Sequence, residues 1–322
     1  MNPASTNQAS RSLYRFAVAT TTFTILLLTA GALVTNNNAG DSVPDWPLAY
    51  GRLIPPLVGG IRFEYSHRVL AGIVSILTLI LAIWITRSDK RRLARRLGWI
   101  AVALVIAQAV LGGIRVLEGV PAISATAHAT LAQIFFLTLV GLTLYLSPWW
   151  QTDLPKLDDT GSPRAATLGL WTTIALVAQV VLGAAFRHGA FGIVPHLIGA
   201  GVVTVMVVWT GRVVKKRFRE VRPLRLGVIL LHSTFGLQLL LGGAAWWAMS
   251  SAMAEIQPTG PFVFFTVAHV LGGALTVASS TLLTLSCYRL TRASRTATVP
   301  ATTTRLSASA APADGSPERA GV

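Results

Sequence analysis

The chain has a single cysteine, Cys287, and it lies inside the last apolar run. No disulfide can form within the chain, and a metal site built on cysteine is excluded. Charge is scarce as well, at 12% of residues against 52% apolar. Acidic residues number 12 and basic residues 27, for a net charge of +15. Such an excess can mark nucleic-acid binding, but here it is confined to a few short loops and tails. That is the placement expected of a membrane protein, so no nucleic-acid partner is expected. The first apolar run ends without an A-x-A cleavage pattern and is about twenty residues long. It reads as a span rather than a removable signal peptide.

What the chain does have is long apolar runs. Eight reach the length of a membrane-crossing helix, at roughly 16–36, 64–86, 97–117, 125–147, 167–187, 193–211, 226–249 and 262–287. The sixth is short and gains length from its flanks. The expected fold is therefore an all-α integral membrane protein with eight transmembrane helices. Of the 27 basic residues, 22 fall in the terminal tails and even-numbered connections. The other five, Arg52, Arg62, Arg68, Arg115 and Arg187, lie near the opposite side. Both termini are expected in the cytoplasm, in a multi-pass protein of the cell membrane. The largest outer segment, Asn36 to Phe63, carries Pro44-Asp45-Trp46-Pro47 and is rich in turn formers. From about Thr291 to Val322 the composition turns to Ala, Ser, Thr and Pro, which predicts a disordered tail.

The runs repeat. His67, His128, His196 and His269 stand near the outer ends of the even runs, spaced by 61, 68 and 73 residues. Gln108, Gln179 and Gln238 each open a Gln-x-x-Leu-Gly in the preceding run. The chain reads as two similar four-helix bundles. The small residues suit close helix packing, and the glutamines suit interhelical hydrogen bonds better than a ligand role. Four histidines at matching heights require a shared reason. Neutral imidazole is a common axial ligand of heme iron, and two facing histidines per bundle make a bis-histidine site. A non-heme centre would recruit carboxylates beside the histidines, and only Glu64 is at hand. His188, in a short loop, and His232, far from the histidine level, are not expected as ligands; His188 is expected to be solvated. At the mouth of the second run, Glu64, His67 and Arg68 share one helix face. Ionisable groups in a span are functional candidates, although an interfacial ion pair between Glu64 and Arg68 accounts for both equally well. Arg68, Arg115 and Arg187 lie where they can meet heme propionates or lipid headgroups.

Gly31-Ala-Leu-Val-Thr35, Pro44-Asp-Trp-Pro47, Glu64-x-x-His67-Arg68, Gln108-x-x-Leu-Gly-Gly113 and His128 together resemble the heme A synthases. The resemblance runs from about Tyr14 to Tyr288. Its most specific pieces are the Pro-Asp-Trp-Pro loop and Glu-x-x-His-Arg. It implies two four-helix halves, residues 16–150 and 167–290, joined by a cytoplasmic linker at 151–166 and flanked by tails at 1–15 and 291–322. It further implies that heme O is the substrate, held by His67 and His128 with Arg68 and Arg115, and that its C8 methyl group becomes the formyl group of heme A for terminal oxidases. Heme b would be the cofactor, held by His196 and His269 with Arg187, and Glu64 would be the catalytic carboxylate. Implied partners are membrane lipid, an electron donor, the prenyltransferase that forms heme O, oxidase assembly factors and a second copy of the chain. Many bacterial members carry a cysteine pair in the first outer loop, and this sequence has none there. Two competing readings are a di-heme cytochrome b that leaves its heme unaltered and a transporter or proton conductor using the histidines as a relay.

The charge distribution yields a test of the topology. Reporter fusions after Arg96 and after Gly51 should report opposite sides of the membrane, and agreement between them would overturn the eight-span arrangement.

Overall fold

A computed structural model describes residues 3–117, 119, 122–252 and 257–293. Among the described residues nine helices and two short strands follow in order: α1 (Pro3–Asn36), α2 (Ile61–Ser88), α3 (Arg92–Leu117), α4 (Ala122–Leu146), α5 (Pro148–Gln151), β1 (Leu157–Asp159), α6 (Ala165–Arg187), α7 (Val194–Arg217), α8 (Arg222–Ala252), α9 (Gly260–Leu290) and β2 (Thr291–Ala293). Eight of the helices are long and apolar enough to cross a membrane, each with one span of 23 to 31 residues. At about 1.5 Å per residue even the shortest exceeds a hydrocarbon core of about 30 Å. The short sixth run gains its length as expected: α7 continues through Lys215, Lys216 and Arg217.

Each half closes on itself. Helices α1 to α4 pack in a ring, α1 against α2 and α4, and α3 against its two chain neighbours. Helices α6 to α9 repeat that ring. Corresponding helices carry corresponding hydroxyl contacts. Thr21 on α1 meets Thr143 on α4 at 2.9 Å, and Thr173 on α6 meets Ser280 on α9 at 2.8 Å. In a medium without water, such paired hydroxyls satisfy each other across a helix seam. Lipid-facing surfaces stay apolar and exposed, with Ile106 and Leu240 as examples. Each half has an apolar core, one gathering Leu81, Ile85, Leu139 and Leu142 and the other Val207, Leu224, Leu231 and Leu283.

The halves meet along α1, α4, α6 and α9. Phe136 and Val140 of α4 pack there on Ala274 and Ala278 of α9, whose small side chains admit the phenyl ring. Cys287 lies fully buried in the core of the second half.

The end of the bundle where the basic residues gather is tied down by its linker. Strand β1 pairs in parallel with β2, Leu157 opposite Thr291. Thr291 to Ala293 thus form a strand where the composition predicted disordered chain, because backbone pairing with the linker supplies the order that side-chain chemistry does not. Residues 294–322 of the expected tail lie outside the described residues. Asp159, 3% exposed, accepts from the Ala165 amide at 2.7 Å and from Arg217 at 3.0 Å. Removing it would leave the first amide of α6 without an acceptor and Arg217 with only the Pro163 carbonyl. Asp159→Ala should destabilise the fold by about 2 kcal/mol, at the low side of buried ion pairs because Arg217 is partly exposed. A thermal unfolding midpoint in detergent equal to wild type would refute the anchoring role.

Candidate heme site

At the other end, four histidines are set by the repeat. His67 stands on α2, His128 on α4, His196 on α7 and His269 on α9. Each imidazole lies against a glycine of the preceding span. A Cβ on Gly31 would come within 3.1 Å of the His67 ring, one on Gly112 within 3.4 Å of His128, one on Gly183 within 2.9 Å of His196, and one on Gly242 within 3.0 Å of His269. Any side chain there would press on the ring, so these glycines are seats for imidazoles. The sequence reading assigned such small residues to helix packing alone; their closest neighbours are the histidines.

The glutamines hold the same histidines, two by the backbone carbonyl and one by the ring. Gln108 donates to the His128 carbonyl at 2.9 Å, and Gln179 to that of His196 at 2.8 Å. The amide of Gln238 lies 3.3 Å from Nε2 of His269. This is the interhelical role expected for them. The first hairpin departs from the rule, since the position four residues before Gly31 is Leu27.

Within the second half, His196 and His269 face each other edge to face with ring centroids 6.2 Å apart. One metal ion between facing ring nitrogens, with imidazole bonds of about 2 Å, needs centroids about 6 Å apart. The Nδ1 atoms of His67, His128 and His269 are buried without a hydrogen-bond partner. Buried polar atoms are rarely left unsatisfied in a finished structure, so these rings fit a ligand from outside the chain. In the first half, His67 and His128 are near enough to act on each other electrostatically. Among the described residues no three His, Cys, Asp or Glu gather as a compact metal site.

Glu64 and Arg68 organise the loop that covers the first pair. Glu64 is 4% exposed; Arg68 donates to its Oε1 at 2.6 Å, and the Val43 amide to its Oε2 at 2.9 Å. The same guanidinium donates to three loop carbonyls, those of Val43, Asp45 and Leu48. The Asp45 carboxylate in turn accepts from the amides of Tyr50 and Gly51, at 2.6 and 2.8 Å. Those amides, Gly51 first, hold its pKa below the usual carboxylate value despite some desolvation. The turn is therefore held in full at neutral pH and released as pH falls through that lowered pKa. Trp46 then lies on α3, its ring 2.8 Å from where a Gly113 Cβ would stand. Pro-Asp-Trp-Pro is thus a folded cap in which Asp45 shapes the turn and Trp46 contacts α3.

The remaining cations differ. Arg115 packs on Gly40 of the loop and keeps its Nε buried without a partner. Arg187, at the end of α6, donates to the Thr35 carbonyl at 2.9 Å and to Asn36 Oδ1 at 3.0 Å, both on α1. It therefore ties the two halves together, a role invisible in the sequence, and Asn36 was missed for the same reason. His188, expected to be solvated, is half-buried near Arg115, Arg187 and His128; burial first, then these charges, push its pKa down to about 4. His232 stands apart, bonded within its own helix to the Val228 carbonyl at 2.8 Å.

Fold and site together define a class: a twin four-helix membrane protein with a histidine pair at one end of each bundle. Residues 61–197 match the family described as cytochrome oxidase assembly protein (COX15-CtaA). The matched segment takes in Glu64, His67, Arg68, His128 and His196 but ends before His269. Among curated relatives, the heme A synthase of Lysinibacillus sphaericus is 32% identical over 188 residues, 56% of this chain and 60% of the relative. That of Shouchella clausii is 36% identical over 137 residues, 41% of this chain and 45% of the relative. The heme A synthase of Alkalihalophilus pseudofirmus is 35% identical over 133 residues, covering 40% and 44%. The chain spans about half the length of the curated relatives it matches. The family resemblance carried by the motifs is borne out.

The loop anchor can be tested alone. Arg68→Ala leaves Glu64 buried without its cation and frees three carbonyls. Hydrogen exchange at the Val43 amide and through residues 43–51 should rise about tenfold or more, since bonds to charged groups contribute about 1.5–3 kcal/mol each. Unchanged exchange would show that other contacts hold the loop.

Proposed function

We propose that this protein converts heme O to heme A by oxidising the C8 methyl group to a formyl group. The observation that supports it best is an asymmetry inside the repeat. Three residues before His67 stands a buried carboxylate, Glu64, while the same offset from the other histidines gives Ala125, Ile193 and Thr266. Two equivalent ligand pairs have unequal surroundings, which suits one site that reacts and one that serves it.

In this reading His67 and His128 receive the substrate beneath the 43–51 loop. Glu64 is the catalytic carboxylate, a proton acceptor or donor at its oxygens and a fixed negative charge beside the reacting group. Arg68 fixes the rotamer of Glu64 and closes the loop, which limits water at the site. Arg115, with its unpartnered Nε, offers a charge-assisted bond to a propionate. His196 and His269 would hold heme b, which supplies one-electron transfer when bound. Arg187 keeps Nη1 outside its bonds to α1, available to a heme b propionate. The basic end faces the cytoplasm and the histidine end the opposite side. The electron donor, the prenyltransferase that forms heme O and the oxidase assembly factors are the partners this chemistry calls for.

Three variants, compared at matched protein levels by optical spectra and mass analysis of extracted heme, test the division of labour. Glu64→Gln should retain the heme b spectrum and lower formyl production about 100-fold or more, the scale of lost acid–base catalysis. His269→Ala should lose heme b, and His67→Ala should spare it. Full heme A production by Glu64→Gln would refute the role given to that carboxylate. Loss of one and the same heme from both histidine variants would overturn the two-site arrangement, and wild-type protein holding unmodified heme b alone would leave a cytochrome b instead.

A further inference from the structure

The basic end of the molecule is not uniform. Several of its cations are already engaged. Arg91 pairs with Asp89 and donates to the Tyr145 carbonyl, Arg95 donates to the Asp89 carbonyl, Arg217 pairs with Asp159, and Arg292 pairs with Asp158. Around the turn between α7 and α8 the situation is reversed. Arg212, Lys215, Lys216 and Arg222 are exposed and make no ion pair among the described residues. Arg219 has only the adjacent Glu220 at 3.8 Å, both side chains projecting into solvent.

These free cations border two recesses. The first, of about 390 Å³, is lined by Arg212, Lys215, Lys216 and Arg219 alone. The second, of about 380 Å³, begins where α8 starts, three residues beyond Arg219. Arg222 lies in its wall together with Leu144, Trp149, Leu226 and Leu282, drawn from both halves. A shallow cationic recess and an apolar groove whose linings come within three residues along the chain, at Arg219 and Arg222, match a molecule with an anionic head and a hydrocarbon chain. Dispersed positive charge is enough to orient a membrane protein. It does not require three unpaired cations, and a fourth with only a distant exposed carboxylate, around one recess, where mutual repulsion is unfavourable unless an anion is present.

We propose that the α7–α8 turn and the adjoining groove form a binding site for an anionic phospholipid. Arg212, Lys215, Lys216 and Arg219 take the phosphate-bearing headgroup. Arg222 lies at the boundary, and one acyl chain lies along Trp149, Leu226 and Leu282. Because Leu144 and Trp149 belong to the first half and Leu226 and Leu282 to the second, the bound lipid bridges the two bundles at the end opposite Arg187.

The test is native mass spectrometry of the full-length protein in detergent, titrated with phosphatidylglycerol and, separately, with phosphatidylcholine. Wild type should retain phosphatidylglycerol about tenfold or more tightly than phosphatidylcholine. The variant Arg212→Gln, Lys215→Gln, Lys216→Gln, Arg219→Gln should lose that preference. Its side chains are at the surface, and an unchanged unfolding midpoint in lipid-free detergent will show that it folds. A second variant, Trp149→Ala with Leu226→Ala, should weaken both lipids by shortening the apolar contact. Equal retention of the two lipids by wild type, or an undiminished preference in the four-residue variant, would overturn the proposal. So would displacement of phosphatidylglycerol by millimolar inorganic phosphate, which would assign the recess to a soluble anion.

Discussion

A buried carboxylate at the edge of a membrane must have a partner, and in this protein the partner also holds a loop. Glu64 accepts from Arg68, and Arg68 has donors to spare for three backbone carbonyls. Satisfying one charge therefore folds the segment that covers the first histidine pair. An ion pair of this kind contributes little to stability once desolvation is counted. Its value is in specification: the loop can close in the register that presents Val43, Asp45 and Leu48 to one guanidinium. Lysine has three donors but no planar fork, and could not bind the carboxylate and three carbonyls in the same geometry.

The repeat explains how the two halves share a frame. In every hairpin a glycine makes room for an imidazole, and in three of them a glutamine holds the histidine, twice by its backbone carbonyl and once by its ring. Duplicated parts then diverge around a constant frame. The first hairpin has Leu27 where the others have glutamine, and it alone has Glu64. The histidine geometry is the part common to the hairpins, and the carboxylate with its loop is particular to the first.

The spans were legible because hydropathy and length are local properties, and every run recurs as a helix with ends shifted by a few residues. The histidine level and the glutamine bonds were legible because they repeat at the hairpin period. Lateral packing was not. Nothing in the vicinity of Arg187 announces that it reaches Asn36, 151 positions away. His188 sits among polar and small residues that suggest a solvated turn, and it is drawn inward because Arg187 anchors the adjoining helix end to α1. The pairing of β1 with β2 was hidden for a related reason: six residues of backbone hydrogen bonding leave no hydrophobic pattern. Composition alone therefore carried the expectation of disorder there.

The two ends of the molecule impose different demands on the seam between the halves. At the histidine end the seam is closed by protein alone, through Arg187 on α6 and the carbonyl and amide oxygens at the end of α1. In the middle it is closed by Phe136 against Ala274 and Ala278. At the basic end it opens into a groove whose walls come from both halves. Beside that groove the linker ties the halves, through Arg289 on the Thr152 carbonyl and over the Trp150 ring. The Arg187 closure lies at the level of the four histidines, and the groove lies at the level of the basic turns.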